Sequence, residues 1–209
     1  MKQRAVVLAG YRAAFGLLTL SAIVAQAVDT ADRGVLNPTN FLSFFTIQCN
    51  LFGAVVFLVV AMRGTKPRWG SIDAMRGASV AYLIVVFVVF ALLLSHTDVG
   101  LVIPWVDTVT HKIFPVVVLA DWLIDPPKRP MNVRHGVAWT AYPLLYACYS
   151  LIRGHLTGWY AYPFFNPANG GYGTVAAYVG GIVVLQLVAC AAVIWLGNVR
   201  RAGRFSNPH

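Results

Sequence analysis

The sequence predicts an all-α integral membrane protein: a bundle of six transmembrane helices with both termini in the cytoplasm. Three observations predict it. Of the 209 residues, 58% are hydrophobic and only 11% are charged, with a mean hydropathy of +0.68. Soluble domains are nearer half apolar and about a quarter charged. Six apolar stretches have roughly the length needed to cross about 30 Å of hydrocarbon. The basic residues fall mainly between alternate stretches, as topology signals do.

The spans are expected at residues 5–28, 41–62, 78–95, 106–124, 137–153 and 174–198. The first has the basic start of a signal peptide. It lacks a cleavage site and is long enough to span, so it reads as a retained helix. Lys2 and Arg4 precede it. Arg63, Lys66, Arg68 and Arg76 separate spans two and three, Lys128, Arg129 and Arg134 separate four and five, and Arg200, Arg201 and Arg204 follow six. The opposite loops hold little beyond Arg33 and Arg153. The positive-inside rule then places both termini in the cytoplasm, which requires an even number of spans. A single transmembrane domain over residues 1–209 follows, without a separate soluble unit or internal repeat.

The net charge of +9 would suggest a nucleic-acid partner in a soluble protein. Here it belongs to the topology signal, and the expected partner is the lipid bilayer, at the cell membrane. Cys49, Cys148 and Cys190 lie in apolar segments without metal-ligand spacing and read as packing residues.

The fourth span is unusual. The stretch "VDTVTHKIFPVVVLADW" holds two aspartates, a histidine and a lysine. A charge at the bilayer centre costs roughly 2.5–3.5 kcal/mol on insertion scales, so each needs a reason to be there. Asp107 and His111 are spaced i,i+4 on one helix face, where a carboxylate can orient the imidazole. Pro115 removes the donor for the His111 carbonyl, predicting a kink and a freed acceptor. Lys112 points away and reads as snorkelling. Asp121, nearer the inner end, matches Arg12 of span one in depth, and the two are expected to pair.

Span two begins "FLSFFTIQCNLFG". Ser43, Thr46 and Asn50 share a helix face, with Thr46 roughly 8 Å inside and close to the depth of His111. One reading is helix packing, which small polar residues commonly mediate in membranes. The other is a hydroxyl nucleophile opposite its base. The last outer loop, "GHLTGWYAYPFFNPANGGYG", is either an interfacial anchor or a cover over a site. Its Trp159, Tyr160, Tyr162 and Phe164 are candidate substrate contacts.

"THKIFPVVVLADW" followed by "HLTGWYAYPF" resembles the family of androgen-induced and androgen-dependent-TFPI-regulating membrane proteins and their bacterial relatives. The resemblance covers most of the chain from Phe41 to Tyr172. It is most specific in "TGWYAYPF" and in the histidine followed four residues later by proline. It implies a multi-pass threonine hydrolase that cleaves fatty acid esters of hydroxy fatty acids with an intramembrane threonine and histidine. The histidine carries over to His111, although the animal proteins have one more residue before the proline. Matching "FLS" to the animal "FLT" selects Ser43, and matching "FFT" selects Thr46. The second keeps threonine at the depth of His111.

The leading expectation is therefore a lipid-ester hydrolase in the outer half of the bilayer. Thr46 attacks, His111 acts as base, and Asp107, Asn50 and Ser43 support them, with no cofactor. One alternative is a zinc hydrolase using His96, His111 and His155 with Asp98 and Asp107. The spacings match no compact ligand motif. Another alternative is a non-enzymatic lipid-binding or scaffold protein. Haem is disfavoured, since only His111 lies well inside a span.

Overall fold

In a computed structural model, residues 2–64, 70–95 and 103–205 are described. Among these the chain is helical, with no strand. Helix α1 runs Lys2–Asp32, α2 Pro38–Leu42, α3 Phe45–Arg63 and α4 Gly70–Val89. Then come α5 Pro104–Thr108, α6 Phe114–Ile124, α7 Val133–Thr157 and α8 Gly171–Phe205. A π turn over Phe90–Leu94 extends α4, and another over Val109–Ile113 joins α5 to α6 in one rod. Four helical runs are long and apolar enough to cross a membrane: Gln3–Asp32, Phe45–Arg63, Gly70–Leu94 and Gly171–Gly203. This is consistent with a membrane protein.

The helices are longer than the apolar stretches, because polar residues at their ends continue the hydrogen-bond ladder. The second expected span is broken instead. Asn37 accepts from the Asn40 N–H to start α2, with Pro38 at the first helical position. The chain then turns at Ser43, and Phe44 is extended before α3 begins. No glycine or proline marks that break. Tertiary contacts hold it: the Tyr146 hydroxyl donates to the Ser43 carbonyl at 2.9 Å, and the hydroxyls of Ser43 and Tyr149 are 2.7 Å apart.

Helix α1 packs along α3, α3 on α4, α4 on α6 and α8, and α7 on α8. Close approach depends on missing side chains. A Cβ on Gly77 would lie 2.5 Å from the Trp139 ring, and one on Gly197 would lie 2.7 Å from the Trp122 ring. Trp122 is fully buried there and donates its indole N–H to the Val193 carbonyl at 3.0 Å.

One end of the bundle gathers charge. Arg12 pairs with Asp121 and with Asp125, each at 2.7 Å. Arg76 reaches Asp121 at 2.6 Å and Asp73 at 3.1 Å, and Lys128 lies 3.7 Å from Asp125. The expected Arg12–Asp121 contact is thus one link of a network in which three carboxylates face two guanidiniums and an ammonium. Arg76 was expected in a loop. It stands inside α4 with its side chain 2% exposed, because α4 starts at Gly70 and turns this residue toward α6. Arg4 and Arg200 donate to the carbonyls of Ile124 and Leu123 at the end of α6, where cations complement the helix dipole. Lys66 and Arg68 lie outside the described residues, as do the side chains of Lys2 and Arg204.

Candidate functional site

The opposite end of the bundle brings Thr46, Asp107, His111 and Tyr162 together. Thr46 lies in the first turn of α3, nearer the helix start than the sequence suggested, because the break at Ser43–Phe44 resets the helix. Its Oγ1 is 3.3 Å from His111 Nε2. His111 Nδ1 is 2.9 Å from Asp107 Oδ1. That contact fixes a tautomer: Nδ1–H donates to the carboxylate, leaving Nε2 free to accept the Thr46 hydroxyl proton. The imidazole also lies flat on Phe90, with centroids 4.1 Å apart and planes within 14°. Ring stacking and the carboxylate together leave the imidazole little rotational freedom.

The turn carrying His111 is in π register, with the Phe114 N–H bonding the Val109 carbonyl. The ladder changes register just ahead of Pro115, whose missing N–H breaks the α pattern at this point. Lys112 is exposed and places its ammonium 5.8 Å from the Phe90 centroid, on the ring that His111 stacks against.

Asn50 is fully buried one turn below Thr46. Its amide donates to the Thr46 carbonyl at 2.8 Å and to the Thr110 carbonyl at 3.1 Å, tying α3 to the His111 turn. Ser43 does not face His111. Its hydroxyl donates to the Thr39 carbonyl at 2.6 Å and meets Tyr149, on the side of α7. Of the two hydroxyls, only Thr46 contacts the imidazole.

The sequence offers Tyr162 as a candidate substrate contact in the outer loop, not as a partner of Thr46. Phe44, which precedes α3, makes no side-chain cap, so the first-turn N–H groups need other acceptors. The Tyr162 hydroxyl accepts from the Thr46 N–H at 3.2 Å and lies 3.4 Å from Thr46 Oγ1. Its ring stacks on Phe164 with centroids 5.1 Å apart, and meets Phe44 edge-on at 5.8 Å. Tyr162 lies between α7 and α8, and burial pushes its phenol up to about 12 although hydrogen bonding at Thr46 pulls the other way. The group stays protonated at physiological pH. No spacing rule connects position 162 to position 46, which explains why this contact was missed.

A cavity of about 300 Å³ opens onto the site. Thr46, Asp107, His111, Trp159 and Tyr162 line it, with apolar walls from Phe41, Phe44, Phe90 and Val106. A narrower apolar cavity of about 60 Å³ runs between α4, α7 and α8, and reaches Thr46 and Tyr162 from the other side. Phe164 belongs to this second cavity. Tyr160 lines neither: its ring fills the place of the absent Gly154 side chain, where a Cβ would come within 2.0 Å.

His155 is exposed in the last turn of α7 and is not among the residues lining the His111 cavity. His96 and Asp98 lie outside the described residues. Among the described residues, no group of three or more His, Cys, Asp or Glu could hold a metal ion.

No protein-family model matches the chain, and no curated protein or solved structure matches it.

Proposed function

We propose that the chain is an intramembrane threonine-type hydrolase of lipid esters, a bacterial-branch relative of the androgen-induced family that its motifs resemble. The carrying observation is the relay from Asp107 through His111 to Thr46, at 2.9 and 3.3 Å, opening onto a largely apolar cavity. A hydroxyl, a base and an orienting carboxylate in hydrogen-bond reach are the parts of nucleophilic acyl transfer.

Thr46 Oγ1 attacks the ester carbonyl carbon while His111 Nε2 takes the hydroxyl proton. The intermediate collapses, the alkoxide leaves with the proton from Nε2, and the acyl group stays on Thr46. Water then attacks with His111 again as base, releasing the acid and restoring the hydroxyl. The nucleophile lies in the first turn of α3, where the helix dipole favours developing negative charge.

This reading has six rods crossing a plasma membrane with both termini cytoplasmic, the charged network inward and the site in the outer half. Substrate enters laterally from the bilayer. The same cavity in a protein that only binds lipid would hold the ester without cleaving it.

The deciding experiment is a lipid-ester panel with purified protein, beside Thr46→Ala and His111→Ala and with fluorophosphonate labelling. Wild type should hydrolyse at least one long-chain ester, and each variant should lose roughly 10³-fold or more. The probe should mark wild type but not Thr46→Ala. Binding without turnover would sink the hydrolase and leave the lipid-binding protein.

A further inference from the structure

Acyl transfer to Thr46 moves negative charge onto the ester carbonyl oxygen, and a site that catalyses it needs a donor aimed there. The side-chain donors around Thr46 are few. Asn50, the nearest amide, directs its N–H groups at the carbonyls of Thr46 and Thr110. His111 faces Asp107 with Nδ1–H, and Nε2 carries the proton in transit. The Thr46 N–H points at the Tyr162 oxygen.

We propose that the Tyr162 hydroxyl is the oxyanion donor of this site, a catalytic role that rests on the threonine-hydrolase reading. Its oxygen accepts the Thr46 N–H, and because the Thr46 hydroxyl proton goes to His111, the phenol's own hydrogen is donated toward Thr46 Oγ1 at rest. It lies 3.4 Å from Thr46 Oγ1. An oxyanion on the carbon joined to Oγ1 is one bond angle from that atom, within reach of the phenol after a small adjustment. Tyr162 and Thr46 also stand on the wall shared by both cavities, where the carbonyl of a bound ester would lie.

Two features make the phenol a strong donor that is already in place. It accepts from the first turn of α3, where partial positive charge polarises its O–H outward, and hydrogen bonds in series reinforce one another. Its ring is held by Phe164 in a stack within 5° of parallel and by Phe44 at 80°. Donors that need no reorganisation contribute most to charge stabilisation. The carbonyl π electrons move to oxygen as the Thr46 bond forms, the phenol hydrogen bonds that oxygen, and the electrons return as the alkoxide leaves. The phenol keeps its proton throughout.

A purely structural phenol would only cap α3. Tyr162→Phe in the full chain separates the two roles, with wild type and Thr46→Ala assayed alongside. Turnover of a fluorogenic lipid ester should fall about 10²–10³-fold with KM nearly unchanged. Affinity for a trifluoromethyl ketone lipid, which forms a tetrahedral adduct, should fall with turnover, while affinity for the matching ether lipid should not. Equal loss for both ligands, or turnover within about threefold of wild type, overturns the donor role and leaves a cap. If Tyr162→Phe fails to fold, difluorotyrosine at position 162 gives a second readout. Its phenolate still accepts the Thr46 N–H but cannot donate. Turnover should therefore be lost at a lower alkaline pH than in wild type, and an unmoved alkaline limb overturns the proposal. An inactive wild type, or a Thr46→Ala variant as active as wild type, overturns the hydrolase reading as well. An active wild type with dead Thr46→Ala and normal Tyr162→Phe overturns Tyr162 alone.

Discussion

Asp121 Oδ2 lies 2.6 Å from Arg76 Nη2, while its other carboxylate oxygen lies 2.7 Å from Arg12 Nε. One carboxylate thus holds α1 and α4 against α6. All three side chains are at most 6% exposed, so solvent screens them little. Removing one partner of a buried pair costs roughly 3–5 kcal/mol, because the other charge is stranded. Asp121→Asn takes a carboxylate from two arginines at once, leaving Arg12 with Asp125 and Arg76 with Asp73, whereas Arg12→Gln leaves Asp121 with Arg76. Asp121→Asn should therefore lower the unfolding temperature in detergent more than Arg12→Gln, and the double variant should recover part of the loss. Equal single effects that simply add would remove this account of the network.

Asn50 should couple stability to turnover. Its amide joins the Thr46 carbonyl to the Thr110 carbonyl, on the residue before His111. Asn50→Ala takes the amide donor from the Thr110 carbonyl, at about 1–3 kcal/mol for an unsatisfied buried group, while the Thr46 carbonyl keeps its α3 ladder bond. It should also slow hydrolysis by roughly 10-fold or more, since small misplacements of catalytic groups are costly. Melting curves and kcat measured on one preparation check this. Lowered stability with normal turnover would show that the bridge only packs the helices.

The helical architecture was legible because apolar runs must bury or face lipid, whatever their neighbours. Thr46 and His111 were drawn together by depth along facing helices, a one-dimensional argument that survives errors at helix ends. The break at Ser43–Phe44 was not legible. Local preferences allow a helix there, and tyrosines of α7 impose the turn through long-range contacts. Arg76 misled because a basic residue near an apolar run resembles a loop signal. The hint was Asp73 one turn before it, an i,i+3 pair that belongs on a helix. Tyr162 reaches Thr46 across 116 positions, a contact that only tertiary structure specifies.

Orientation is tested by reporter fusions. Fusion after Arg129, or at the C-terminus, should report the cytoplasm, and fusion at Asn169 the outside. The positive-inside rule rests here on Arg63, Arg129, Arg134, Arg200 and Arg201, all at one end of the bundle. A reversed pattern would move the Thr46–His111 cavity to the inner leaflet. Matching signals at Arg129 and Asn169 would remove the sixfold crossing.

The Tyr162 phenol gives a pH signature. Its pKa is raised to about 12 by burial, so between pH 6 and about 10 it stays protonated and able to donate. The ratio of wild-type to Tyr162→Phe turnover should be constant across that window, then narrow as pH approaches 12. The sign follows from the raised pKa: the neutral donor persists below it and is lost above it. A ratio collapsing at about pH 10 would place the phenol in ordinary water-like surroundings.

Asp107 offers the sharpest test of the relay, because two substitutions should rank in an unexpected order. The carboxylate accepts from His111 Nδ1 at 2.9 Å and is 24% exposed. In Asp107→Asn the amide can donate to Nδ1 instead. That selects the opposite tautomer, puts the proton on Nε2 and blocks acceptance from Thr46. Turnover should fall by up to about 10⁴-fold, the penalty of a wrong tautomer in a triad. In Asp107→Ala nothing enforces that tautomer, water reaches the vacated position, and Phe90 still holds the ring. Asp107→Ala should therefore keep more activity than Asp107→Asn, although it removes more of the side chain. Kinetics on a single lipid ester with both variants, normalised to folded protein, decide it. The reverse order would mean that Asp107 contributes charge rather than orientation, and indifference to both would remove it from the mechanism.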